Sequence, residues 1–438
     1  MTDADGDFTR CSTGAAGSDS NGDGDDYGDG ESKSKSKSKS KSVAATPTST
    51  TLIDETLTQR DAAAFVHVGQ AHEPAIQYCL DCWTQAVAND EAVADPPADS
   101  DLVALSFDGE GWEMRARPRK PGRGESDTHP ASQLASTLAD RHGSATVLTP
   151  PSIPHDAALY LENAGLTLTS TDVLECARAK KTPDERARIE TAQAGARAGI
   201  RRAAAVLADA RVVDGELVRG DTTREDEPIT PDHLRTEVDK AIVSAGAYPA
   251  GNTAINPDAD PERVPSTVGT ADTPLRPGEP IVIRTAPREP GGYHGGLVRT
   301  LVVDGDGGRE RRAHVGATQS FRSASAMLTA DTETVGAVKA DLEAEVRAFG
   351  FEDADAVETS VGGVGLAALE SPCKLTDEIE PGSVVQLESA VRVEEGVWLR
   401  IADVLARGRD QDQDRDGERP EWLAPLSRSL DPETVRKS

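Results

Sequence analysis

Apolar residues are spread unevenly along this chain. Up to about residue 50 there are almost none: Asp, Gly and Ser clusters give way to a strict Lys-Ser alternation from Ser32 to Ser42. Such a segment has little apolar surface to offset the entropy of ordering, so residues 1–50 are expected to form a disordered tail. From Thr51 the pattern becomes mixed. Short apolar runs bounded by Pro, Gly and polar clusters, at residues 62–69, 102–107, 112–116 and 145–148, predict strands. Helical spacing at residues 133–140 and 155–164 falls around them, which predicts a small α/β unit over residues 51–174.

The signals then lengthen. Thr182-Pro183-Asp184-Glu185 is a strong helix start, with a capping Thr, a Pro at the first helical position and a Glu placed to complete a capping box. The spacing predicts a helix to about residue 210 that buries Ile189, Ala192, Ala196, Ile200, Ala203 and Leu207 on one face. Thr230-Pro231 repeats the device and opens a helix through Leu234, Val238 and Ile242, with Gly246 as a left-handed stop. One long helix is predicted over residues 320–349, turning Met327, Leu328, Val335, Val338, Leu342 and Val346 inward and closed by Gly350.

Composition narrows the classes open to this chain. At 438 residues and 37% hydrophobic content it can bury a large core and divide into two or three domains. No apolar run is long enough to span a bilayer and the amino terminus lacks a signal pattern, which gives the expectation of a cytoplasmic protein with no membrane partner. The formal charge of -29 comes from 76 acidic against 47 basic residues, an acidic surface suited to concentrated salt and read as halophilic. That charge opposes nucleic-acid binding, because the folded part has no basic stripe to neutralise phosphates. Cys79 and Cys82 form the one short cysteine spacing, but no second Cys or His pair lies near them, so both are read as packing residues. Cys373, after Pro372, is read the same way. The Asp410, Asp412, Asp414 and Asp416 run lacks the central Gly and closing Glu of a calcium loop and is read as part of a polar tail, residues 409–438.

Three stretches carry the chemical signal. Ile281-Val282-Ile283-Arg284 is followed by Gly292-Tyr293-His294-Gly295-Gly296-Leu297-Val298-Arg299-Thr300. Gly362-Gly363-Val364-Gly365-Leu366 leads to Leu369-Glu370-Ser371-Pro372, and Val384-Val385-Gln386-Leu387-Glu388 leads to Leu399-Arg400-Ile401-Ala402-Asp403. In order and spacing these resemble the carboxy-terminal half of the pita-bread metallopeptidases, the family of methionine aminopeptidase, Xaa-Pro aminopeptidase, prolidase and creatinase. The resemblance implies an α+β chain: a pita-bread domain over residues 175–408, preceded by a smaller α/β creatinase-type amino-terminal domain. It also implies cytoplasmic peptidase chemistry on two divalent metal ions held by two Asp, a His and two Glu, which activate a water.

Carried over position by position, those ligands fall on Arg284, Gly296, Gly362, Glu388 and Ala402, so Glu388 alone is kept. The family's second His falls on Leu369, and residues 254–266, where the family presents another His, contain none. Candidates left in the vestigial cleft are His294, Glu370, Glu388, Arg400 and Asp403, with His294 expected on the same face as Gly296. Arg284 stays charged at any relevant pH and is expected to pair with Glu388, which otherwise would be a costly buried carboxylate. No cofactor is therefore expected. The implied function is a non-catalytic homologue that binds a peptide or protein, with the family's homodimer as a weaker expectation. Two alternatives stand beside it: an active Xaa-Pro aminopeptidase with a rebuilt site for two metal ions, and a metal-free hydrolase of the creatinase type.

Overall fold

The computed structural model describes residues 49–87, 100–118, 128–220, 227–257, 273–305, 307–408 and 419–438. The Lys-Ser repeat, the Asp410 to Asp416 run and residues 258–266 of the His-free loop lie outside them. The amino-terminal part runs α1 (Ser49–Gln59), β1 (Ala64–Gln70), α2 (Pro74–Val87), β2 (Ser100–Phe107), β3 (Trp112–Pro118), α3 (Pro130–His142), β4 (Thr146–Thr149), α4 (His155–Asn163), β5 (Thr167–Ser170) and α5 (Val173–Ala179). Its sheet has the order β3-β2-β1-β4-β5. β1, β4 and β5 are parallel, while β2 and β3 join as an antiparallel pair. Alternation along β1 splits its side chains between two cores. Ala64, Val66 and Val68 face α3 and α4, whereas Phe65 joins Ile76, Cys79 and Trp83 of α2 in a core that continues into the second sheet.

The carboxy-terminal part follows as α6 (Pro183–Ala208), β6 (Arg211–Val213), β7 (Glu216–Val218), α7 (Pro231–Ser244), β8 (Ala254–Ile255), β9 (Ile281–Thr285), β10 (Leu297–Leu301), α8 (Arg309–Ala330), β11 (Glu333–Thr334), α9 (Val335–Arg347), β12 (Val357–Gly363), β13 (Glu378–Ile379), β14 (Val384–Glu394), β15 (Val397–Ala406), β16 (Glu421–Trp422) and α10 (Pro432–Lys437). The central sheet has the order β12-β14-β15-β10-β9-β8, with β16 on β15. Every pairing in it is antiparallel. One pair of helices, α6 and α7, packs against β9 and β10 through Ile200, Leu234, Val238, Ile242, Ile283 and Leu297. The other pair, α8 and α9, covers β12, β14 and β15 through Phe321, Leu328, Val338, Leu342, Leu387 and Ile401.

Local chemistry explains where these helices begin. Thr182 and Glu185 form a full capping box at the start of α6, and Thr230 caps α7 by accepting a hydrogen bond from the His233 backbone N–H at 3.2 Å. The six residues expected to be inward on α6 are all buried. Gly246, at φ 85°, sits in the left-handed region just past α7. Among the described residues, no helix is long and apolar enough to cross a membrane.

The expectation of one helix over residues 320–349 fails. Asp331 is extended, Thr334 pairs with Glu378 in a two-residue ladder, and Thr334 Oγ1 then caps α9 by accepting from the Ala337 N–H at 3.1 Å. The apolar spacing runs on across the break because both helices lie on the same face of the same sheet, placing Leu328 and Val335 in one core. Cys79 packs as expected, but Cys373 is exposed. The Thr334→Ala variant should lose about 1 kcal/mol of stability through the missing cap, read as a lower urea midpoint at unchanged slope.

Candidate functional site

Strand register places the key positions in one line across the sheet. Ser360 on β12 stands opposite Glu388 on β14, Glu388 opposite Ala402 on β15, Ala402 opposite Val298 on β10, and Val298 opposite Arg284 on β9. Residues directly opposite in a ladder point to the same face, so all five share one surface. The next row on that face holds Glu358, Ala390 and Arg400, and the row on the other side holds Gly362, Gln386 and Val404.

Arg284 and Glu388 reach toward each other along this line, over fully buried Val298 and Ala402, and meet at 2.5 Å between Arg284 Nη2 and Glu388 Oε1. The small side chain at Ala402 leaves that path open. Arg400 Nη1 donates to the same Oε1 at 3.2 Å, and its Nη2 donates to Glu358 at 3.0 Å. The Arg400 guanidinium also lies over the Trp398 ring, 5.3 Å from its centre. Glu388 and Arg400 are buried, Glu358 is largely exposed, and the Arg284 side chain is 32% exposed.

The two glycines on this surface are filled from beside them. A Cβ at Gly296 would collide with the Gln386 carboxamide, and a Cβ at Gly362 would collide with Leu369 Cδ1. Gln193, buried on α6, clamps the Gly296 backbone from below, accepting from its N–H at 2.7 Å and donating to its carbonyl at 3.1 Å. Gly295 allows that approach, since a Cβ there would lie 2.7 Å from the Gln193 backbone nitrogen.

The remaining sequence candidates are held elsewhere. Glu370 is buried and ion-paired to Arg178 and, at 2.6 Å, to Lys181, so it ties the end of α5 to the loop after β12. Burial pushes its carboxyl up, but the Lys181 and Arg178 cations outweigh that and hold it below the usual range. Asp403 follows Ala402 on the strand and points to the opposite face. There it accepts from Arg299 at 2.6 Å and Arg428 at 2.5 Å, with Arg428 stacked on Phe321 and Trp422. His294 lies before β10 rather than on it; its Nδ1 is 3.3 Å from the Ala286 carbonyl oxygen, and burial lowers its pKa. Of the five cleft candidates, then, the fold unites only Glu388 and Arg400. Three members of this surface, Ser360, Glu358 and Gln386, were missed in sequence, although counting back by twos from Gly362 and Glu388 finds them all.

These residues do not fit a pair of divalent ions. Such ions take several carboxylate or imidazole donors converging on one point. Here the central carboxylate is already engaged by two guanidinium groups, and the glycine positions are packed by an amide and a leucine. Among the described residues, no group of three or more His, Cys, Asp or Glu side chains converges.

No protein-family model matches the sequence, and no curated protein does. Solved structures do match in fold. The prolidase from Pyrococcus horikoshii superposes with a TM-score of 0.62 at 16% identity, covering 87% of this chain and 99% of that one. The X-Pro aminopeptidase from Thermotoga maritima gives 0.60 at 13% identity, covering 85% and 98%. The N-terminal domain of the FACT complex subunit SPT16 from Cicer arietinum gives 0.62 at 12% identity, covering 89% and 98%. The chain therefore has the pita-bread fold of prolidases and Xaa-Pro dipeptidases, with the preceding amino-terminal unit included in the match.

The ion pairs predict an asymmetry. Glu388→Gln leaves two neighbouring guanidinium groups without their shared anion and should cost about 3 kcal/mol, whereas Arg284→Met leaves Arg400 on Glu388 and should cost less than about 1 kcal/mol; chemical denaturation compares the two. Glu370, with its folded pKa depressed, contributes stability that is complete above its ordinary value of 4.5 and lost as the pH falls through the folded value. The acid limb of a denaturation-midpoint profile below pH 4.5 should accordingly be shallower in Glu370→Gln than in the native chain.

Proposed function

We propose that this chain is a non-catalytic protein of prolidase fold that uses the cleft of that fold to bind a peptide or a protein. The observation that supports this most directly is the occupation of Glu388 by Arg284 and Arg400. Arg284 stands at one of the positions where the resemblance would put a metal ligand, and together with Arg400 it neutralises the one carboxylate kept from that ligand set. General acid and base chemistry has no histidine on the same surface among the described residues, and the carboxylates there, Glu388 and Glu358, are bonded to Arg. The resemblance puts its His residues at Gly362 and Leu369, and His294 is bonded to the Ala286 carbonyl rather than to Glu388. A neighbour in fold supports the reading from another side: one is a domain of a subunit of a complex, the FACT complex, rather than a named peptidase. The charge of -29 adds to this reading a surface suited to a salt-rich medium.

The competing reading, an Xaa-Pro peptidase with a rebuilt centre, rests on the neighbours titled prolidase and X-Pro aminopeptidase. One experiment separates the two. Full-length protein purified in high salt, loaded with manganese or cobalt and dialysed, is analysed for bound metal and offered the dipeptide Ala-Pro. Neither stoichiometric metal nor cleavage is expected. Retention of about two ions with turnover, abolished in Glu388→Ala, establishes the peptidase and overturns the binding reading.

A further inference from the structure

Arg284 is only partly used by the protein. Among the described residues its side chain makes one hydrogen bond, from Nη2 to Glu388, and it is 32% exposed, although its strand is otherwise buried. A guanidinium carries five N–H donors and two double-donor edges, Nη1 with Nη2 and Nε with Nη2, so the one Nη2 bond to Glu388 leaves one of the two edges open. The floor beneath it is apolar, made by Val298 and Ala402, which strengthens any charge-assisted bond formed there.

The charges on this surface point the same way. Buried Glu388 lies between buried Arg400 and half-buried Arg284; Glu358, the second anion, is 45% exposed and bonds to Arg400. Among these four charges Arg284 is the less fully compensated cation, because it shares its one anion with Arg400 while Arg400 also has Glu358. His294 adds no competing cation near neutral pH, because burial lowers its pKa. A planar anion with two parallel acceptors fits the open edge of the fork, and a carboxylate is such an anion. A single negative charge also suits a chain of net charge -29 better than a phosphate would, since the long-range repulsion it must overcome is smaller and is screened within about 10 Å at 0.1 M salt.

We infer that Arg284 is the anchor for a carboxylate of the peptide held in this cleft, a role that rests on the peptide-binding reading above. The carboxylate comes either from a free C-terminus or from an acidic side chain, and the same contact would serve both.

The test measures anisotropy of N-terminally labelled peptides on the full-length chain in high salt. Three probes are used: Ala-Pro-Ala-Ala with a free C-terminus, the same peptide amidated, and an amidated peptide in which Asp replaces the last Ala. The acid should bind at least about tenfold tighter than its amide, the scale of one charge-assisted contact. Recovery of that gain by the Asp peptide assigns the site to acidic side chains as well; no recovery assigns it to free C-termini. In Arg284→Met the advantage of acid over amide should vanish while the thermal unfolding profile stays close to native, because Arg400 still holds Glu388. Arg284→Lys, which keeps the charge and loses the fork, should retain only part of it. Equal binding of acid and amide to the native chain overturns the carboxylate role and leaves peptide binding standing. So does an advantage that survives in Arg284→Met. Failure of all three peptides to bind overturns the peptide reading and this role with it. The acid and amide comparison on the native chain holds whether or not the variants fold.

Discussion

A buried carboxylate has to be neutralised by something, and in this protein the answer at Glu388 organises the face of the central sheet that carries it. Taking a carboxylate out of water without a partner costs several kcal/mol. Metal ions can supply the opposing charge, but they bring a demand for further oxygen and nitrogen donors around them. Arg284 and Arg400 supply it instead, and guanidinium groups need only acceptors that are already there. Arg suits this place better than Lys, since it cannot give up its proton and its planar group can lie on Trp398 while bonding in its own plane.

That exchange is matched by the packing around it. A side chain as long as Arg284 needs a clear path to Glu388, and Ala402 provides it. Where Gly296 and Gly362 leave room, the Gln386 carboxamide and the Leu369 side chain fill it. Interiors are close-packed, and a void left at these glycines would forfeit contacts on every wall. These positions therefore pack as a set. A larger side chain at Gly296 or Gly362 would first have to displace the Gln386 carboxamide or the Leu369 side chain.

Two other ionic clusters fix the frame in which this set sits. Glu370 with Arg178 and Lys181 binds the end of the amino-terminal unit to the loop after β12, and Asp403 with Arg299 and Arg428 binds the back of the sheet to the carboxy-terminal segment and α8. Both lie away from Glu388, one in the junction and one on the reverse face. Three carboxylates that stand close together in the sequence pattern are thus separated into three places. Each has its own cations, and no two are left to repel each other or to share a metal.

Much of this could be read from the chain alone. Helix starts at Thr182 and Thr230 were legible because capping is settled within four residues, and the inward face of α6 because helical periodicity is local. The Arg284 and Glu388 pairing was also legible, because a cation and an anion assigned to one site have a strong reason to meet. Strand parity could have moved Asp403 to the reverse face, since neighbours on a strand point opposite ways. What the sequence could not supply was choice among partners at long range. The break at Asp331 depends on a ladder with Glu378, the capture of Glu370 depends on where α5 ends, and the second guanidinium on Glu388 depends on strand register. Periodicity and capping act over one turn or one strand, whereas these contacts join residues from 12 to nearly two hundred positions apart on different elements, and only the folded sheet decides which of several available charges comes within reach.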